Sequence, residues 1–184
     1  EVNYTLTQHT LAASVGRQLG DAFSLNLSAG AILDGQLEGE NSTHDVSPGW
    51  LVGAQLSRRW IGGNTRTPAP FLMTSLGLGF SMTKTERSDL TQPPAVSVTL
   101  TASDLRLGVS MWDGFAPYLA TRAFLGPVSW TRGGSSSVGS DRHHYTLGGG
   151  LAWNVTRGTG GISLLVDGSF LGERSVSGGT SISF

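Results

Sequence analysis

The chain has 184 residues, a formal net charge of −1, 14% charged residues and 38% hydrophobic ones. That length suits one domain, 1–184, and the near-neutral balance excludes nucleic acid as an electrostatic partner. The lack of cysteine excludes a disulfide framework and a thiolate metal site, and no stretch of about 18 consecutive apolar residues offers a transmembrane helix.

The charged fraction is low against the roughly 25% of soluble domains. Low charge without an apolar run is what a membrane β-barrel gives, because its apolar residues alternate with small polar ones and never accumulate. A water-soluble β-sandwich alternates as well, so the arrangement of segments along the chain has to separate the two.

Nine alternating segments are predicted, at 2–19, 22–37, 49–60, 70–86, 96–112, 116–131, 143–155, 160–170 and 174–184. In the second, Phe23, Leu25, Leu27, Ala29, Ala31 and Leu33 oppose Ser24, Asn26, Ser28 and Gly30. In the fourth, Leu72, Thr74, Leu76, Leu78, Phe80 and Met82 oppose Ser75, Gly77, Gly79 and Ser81. Leu105, Leu107, Val109 and Met111 oppose Asp104, Arg106, Gly108 and Ser110 in the fifth. In the seventh, Tyr145, Leu147, Leu151, Trp153 and Val155 oppose Thr146, Gly148, Gly150 and Asn154. These runs have the period of two that marks a strand with one apolar face. They exceed the usual strand of about 5–6 residues and approach or exceed the 9–11 that a tilted strand needs to cross a bilayer.

The connections alternate between two kinds. GRQLGD, GGNTRTPAP, WDGFAP and TRGTG are short or contain proline; EGENSTHDVSPG, TERSDLTQPPA and TRGGSSSVGSDR are longer and polar. Outer-membrane barrels sort their connections in this way, with short periplasmic turns and longer extracellular loops. Phe23, Trp60, Phe71, Trp112, Phe115, Tyr118 and Trp153 sit beside the short turns, and Trp50 and Trp130 beside the long loops. Trp50, Trp60, Trp112, Trp130 and Trp153 are therefore expected at the two membrane–water interfaces, where an amphipathic ring is favoured.

The last residues, Ser177-Gly178-Gly179-Thr180-Ser181-Ile182-Ser183-Phe184, alternate in the same way. Ser177, Gly179, Ile182 and Phe184 resemble, position by position, the C-terminal β-signal of bacterial outer-membrane proteins. The whole chain is similar in pattern to the small OmpA-like outer-membrane barrels. That resemblance implies a bacterial outer-membrane location, surrounded by outer-membrane lipid and lipopolysaccharide, with the barrel-assembly machinery as a partner during biogenesis. It also implies that the tail pairs with the first strand, so that closure removes the sheet edge.

The expected fold is all-β, an antiparallel up-and-down transmembrane β-barrel of eight to ten strands. Nine segments sit awkwardly with the even count normal for bacterial barrels. One repair joins 160–184 into a single long strand, since Ile162, Leu164, Val166, Phe170, Val176 and Ile182 stay in phase. The other makes Leu171-Gly172-Glu173-Arg174 a tight turn and takes a further strand from upstream of Glu1 or from another chain. The second is preferred, with ten strands in the complete object.

Alternation sends Arg59, Asp104, Arg106, Arg122, Asp167 and Glu173 inward, as a lumen network of charges that need partners. A small barrel fills its lumen with side chains, so a salt-bridged plug is expected rather than an open, porin-like path. Ser140, Asp141, His143 and His144, with His44 and Asp45, are the nearest approach to a rim active site of the kind found in barrel proteases and lipid hydrolases. His143 and His144 are adjacent, so a strand would point them to opposite faces. No spacing matches a zinc or calcium motif, and no catalytic residue, metal or cofactor is assigned. Asn41 and Asn154 head chance glycosylation triplets if the source is bacterial. The expected function is a non-enzymatic structural, scaffolding or partner-binding barrel of the envelope. A narrow ion or small-solute channel is the alternative, and a rim enzyme acting on lipid or peptide the second.

Overall fold

The computed structural model describes the backbone at residues 4–39, 42–62, 68–87, 90–91, 95–111, 114–132, 135–140, 142–157, 160–172 and 174–183, with most of their side chains. Strands dominate: β1 (Tyr4–Leu19), β2 (Phe23–Gly39), β3 (Ser42–Ile61), β4 (Ala69–Arg87), β5 (Leu90–Thr91), β6 (Ala95–Ser110), β7 (Phe115–Leu125), β8 (Val128–Arg132), β9 (Ser135–Gly139), β10 (Tyr145–Arg157), β11 (Gly160–Gly172) and β12 (Ser175–Ser183). Nine of them form one antiparallel path, β1-β2-β3-β4-β6-β7-β10-β11-β12. The ends of that path, β1 and β12, come within 8 Å of each other, Cα to Cα. The sheet is thus a nearly closed barrel. An added strand between β1 and β12 would need about 9.6 Å, two strand spacings, and the approach of the two ends is closer than that.

Nine strands fall within the expected range, and the turn expected at Leu171-Gly172-Glu173-Arg174 separates two strands there, whereas the single long strand over 160–184 and a tenth strand on the barrel path are not found among the described residues. β11 and β12 form a hairpin rather than one strand, with Ser169 opposite Ser175. Gly172 ends β11 at φ +79°, a left-handed conformation that favours glycine and lets the chain reverse there. An odd count leaves β1 and β12 parallel at the seam, since direction alternates along an antiparallel path.

The long polar connections differ from expectation. β2 and β3 run as paired strands to Gly39 and Ser42, so most of EGENSTHDVSPG is sheet. The segment expected at 116–131 breaks at Gly126-Pro127 into β7 and β8, and β8 pairs with β9 as a short hairpin. Proline has no N–H for the ladder, which is why the strand is interrupted there. The wall is consequently tall at β3, with 20 residues, and low at β12, with 9.

Bulges decide where the outside changes from apolar to polar. The β1–β2 register shifts between His9 and Thr10, leaving Leu33 as the extra residue. Below the shift, Leu27, Ala29 and Ala31 face outward. Beyond it the facing inverts, and Asp34, Gln36 and Glu38 are exposed on the outer wall, with His9 bonded to Asp34 at 2.5 Å. An extra residue in one strand moves every following side chain to the other face.

The apolar belt lies between two sets of outward aromatics. Phe23, Trp60, Phe115 and Trp153 are exposed at the short-turn end, and Trp50 and Tyr145 at the other. Trp50 and Trp60 stand ten residues apart on β3. That is about 33 Å along the strand, or about 25 Å at a tilt of ~40°, the height of the apolar band of a membrane barrel. Leu56, Leu76, Leu78, Leu107, Leu119, Leu151, Leu164 and Val166 fill the interval and are all exposed.

The interior holds what core there is. Phe71, Ala116 and Tyr118 are buried together, with Met73, Ala120, Ala152 and Leu165 packed against them. Phe71 meets Tyr118 edge-on, at 6.4 Å between centroids. These two aromatics flank short turns but point into the barrel, unlike Phe23, Trp60 and Phe115 at the same end.

Candidate functional site: a charged constriction in the lumen

The lumen network is built from three strands and one gap. On β6, Asp104 and Arg106 are two residues apart and so share the inner face. On β7, Arg122 stands directly opposite Asp104. Arg106 donates to Asp104 through Nε at 3.5 Å and Nη2 at 3.3 Å, and Arg122 Nη2 donates at 3.5 Å. The Asp104 side chain is 1% exposed, against 21% for Arg106 and 46% for Arg122. Both carboxylate oxygens accept from arginine, so the buried charge is compensated from two sides.

The second half of the network crosses β10. Tyr118, Gly150 and Asp167 are in register on β7, β10 and β11. The Tyr118 hydroxyl donates to Asp167 Oδ1. A Cβ at Gly150 would stand 2.6 Å from that hydroxyl and 2.8 Å from the carboxylate. Only a glycine leaves the space through which the two groups meet. The Arg106 guanidinium carbon lies 5.3 Å from the Tyr118 ring centroid, within cation–π range, and so joins the two halves.

Two carboxylates and two arginines therefore offset each other, and the Tyr118 ring links them to the apolar cluster below. Opposite, the inner faces of β2 to β4 carry small or short polar groups: Ser28, Gly53, Ser57, Ser75, Gly77 and Gly79, with Gln55 donating to Ser75 at 3.0 Å. Bulky charged residues on one wall face small ones on the other. This is how a small barrel fills its interior.

Of the other residues expected in the lumen, Arg59 stands at the rim. Its Nη2 donates to the Asp21 carbonyl at 3.0 Å and its amide to the Ala22 carbonyl at 2.7 Å. It lies two residues from the end of β3, where the lumen opens to water, and folds back over the β1–β2 turn. Glu173 lies outside the described residues, as do Trp112 and Phe184. Nothing is described of the side chains of Trp130 and Ile182, which belong to β8 and β12. Ser177 and Gly179 pair with Asp167 and Leu165 of β11.

The rim residues do not assemble. His44 is buried and faces inward, while Asp45 is exposed on the outer wall. The His143 ring sits edge-on to Tyr145 at 6.4 Å, and the His144 carbonyl accepts from the Phe124 amide at 2.9 Å. Asp141 lies outside the described residues. Among the described residues no three of His, Asp and Glu gather as metal ligands.

Sequence reasoning missed Tyr118 as a member of the network, because its place beside a short turn reads as an interface aromatic. The signal was its parity: Tyr118 shares a face with Ala116, Ala120 and Arg122, all opposite in phase to Leu119. Compared with family models, curated proteins and solved structures, the chain matches none.

Proposed function

We propose that this chain is a small bacterial outer-membrane barrel with a plugged lumen, acting as a structural or partner-binding component of the envelope. The observation that carries the reading is the segregation of the wall. An apolar belt about 25 Å high, edged by aromatics, faces outward, as a bilayer requires, while Asp104, Arg106, Arg122 and Asp167 are turned inward and bonded to one another or to Tyr118. The strands then continue beyond the belt as a polar wall of β2, β3 and β4, with the β8–β9 hairpin beside it. That raised rim is the surface on which a partner would dock. Ser177, Gly179, Ile182 and Phe184 act in this reading as the tail recognised during barrel assembly.

Sidedness tests the location. Single cysteines at Thr43, on the raised wall, and at Asp21, in the β1–β2 turn, are offered to an impermeant maleimide on intact cells of a bacterial host expressing the chain. Labelling at Thr43 with protection at Asp21 is the expected pattern. Equal labelling of both would remove the membrane reading.

A narrow channel is the second reading, and one observation favours it: Arg122 is inside the barrel yet half exposed, so water reaches the lumen above Asp104. Purified barrel reconstituted in planar bilayers is expected to be silent. Stepwise openings whose amplitude changes on Arg106→Ala or Arg122→Ala would replace the plug with a path.

A further inference from the structure

The outward charges are divided between the two ends of the barrel. On the raised wall the exposed outward groups are mostly acidic: Asp34, Glu38 and Asp45, with His9 and Lys84 among them. On the short-turn half the strands place Arg17 and Arg58 outward, and among the described strand residues no carboxylate shares that face. An arginine beside lipid needs a counter-charge or water, and its cost at a barrel surface becomes small only near the interface.

Arg58 is held for this position. It stands opposite Phe23 on β2 and Thr74 on β4. Its guanidinium carbon lies 3.8 Å from the Trp60 ring centroid and 5.3 Å from that of Phe23. Trp60 is itself fixed, its Nε1 donating to Thr74 Oγ1 at 2.8 Å. The guanidinium is thus sandwiched by cation–π contacts, and among the described residues no ion pair engages its N–H groups. A shallow groove lined by Phe23, Leu56, Arg58, Thr74 and Leu76 leads from it into the apolar belt. Arg17 lies across β2 and two residues along from the position level with Arg58, which is Leu19; two strand spacings and two residues of rise put it about 12 Å away.

We infer that this patch binds an anionic phospholipid, with the phosphate on the Arg58 guanidinium and an acyl chain along Leu56 and Leu76. A planar guanidinium offers paired N–H donors to phosphate oxygens, the aromatic rings lie at headgroup depth, and Phe23, Leu56 and Leu76 give the adjoining groove an apolar side beside its threonine and serines. Arg17 supplies the second positive charge that favours an anionic headgroup over a zwitterionic one. The inference rests on the membrane reading above.

The test uses the full chain with Trp60 as its sole tryptophan, the others replaced by phenylalanine. The folded barrel is placed in bilayers of brominated phosphatidylglycerol mixed with unbrominated phosphatidylcholine, and in the reverse mixture. Quenching of Trp60 should give a several-fold preference for phosphatidylglycerol. Arg58→Gln should bring that preference to about one, and added inorganic phosphate should leave it unchanged, since free phosphate lacks the acyl chain. Equal quenching by the two lipids, a preference that survives Arg58→Gln, or its abolition by inorganic phosphate would each overturn the lipid site. Absence of quenching by either lipid would instead show that Trp60 does not face a bilayer, and the membrane reading would fall with it.

Discussion

Asp104→Ala is expected to destabilise the folded barrel by about 3 kcal/mol, the lower end of what removing one partner of a buried ion pair costs. Asp104 is 1% exposed and accepts from both Arg106 and Arg122. Its removal leaves Arg106 largely enclosed with no carboxylate on β6. Arg122 loses less, because it is half exposed and water can replace its partner, which is why the lower end applies. Asp104→Asn keeps an acceptor but not the charge, and should lose less than alanine. The measurement is urea unfolding of barrel refolded in phospholipid bilayers, followed by tryptophan fluorescence. A loss below about 1 kcal/mol would place the effect in the range of a solvent-exposed pair. The lumen at Asp104 would then be wet, which favours the channel over the plug.

How far this network was legible can be read from its members. Period-two alternation alone sends Asp104 and Arg106 inward together, and it sends Arg122 and Asp167 inward on their own strands. Which of them meet depends on register. From Gly108 opposite Tyr118 to Ser103 opposite Ala123 the β6–β7 pairing keeps one register, carried from the turn that joins the two strands, and this sets Asp104 opposite Arg122; the shift between Thr101 and Ser103 lies beyond them. Alternation gives the facing of each strand but not the pairing that a turn imposes. On the outer wall a bulge decides instead, and no local pattern marks the extra residue at Leu33 that turns Asp34 outward. The arrangement at the end of the chain was hidden for a different reason. Ile162 pairs with Ile182, Leu164 with Thr180 and Gly168 with Val176. Even-numbered residues face even-numbered ones across that hairpin, so both strands show the same phase. Alternation alone therefore cannot distinguish one long strand from two paired strands. The barrel itself was legible because its signal is repeated in strand after strand, and each repetition places the apolar residues on the same side of the wall.

Leu107→Arg, three residues along β6 from Asp104, is expected to cost about 2–4 kcal/mol for the opposite reason. Leu107 faces outward, 54% exposed, between Leu72 and Leu119. Leu119 lies four residues in from Phe115 on β7, which puts this row about 10 Å inside the short-turn girdle by strand rise and tilt. That is close to the middle of a band about 25 Å high. In water, exchanging an exposed leucine for arginine at such a site would change stability by no more than about 0.5 kcal/mol. In hydrocarbon the guanidinium has to reach an interface or draw water inward. Leu125→Arg is the internal control: it is outward and exposed like Leu107 but lies at the far end of β7, where the cost should fall to about 0–1 kcal/mol. Both variants would be refolded into bilayers and unfolded in urea beside the unaltered chain. A large loss for Leu107 with a small one for Leu125 is a depth profile, and only a bilayer supplies one. Equal small losses would mean that this wall faces water, and the outward leucines would then need a protein partner to cover them.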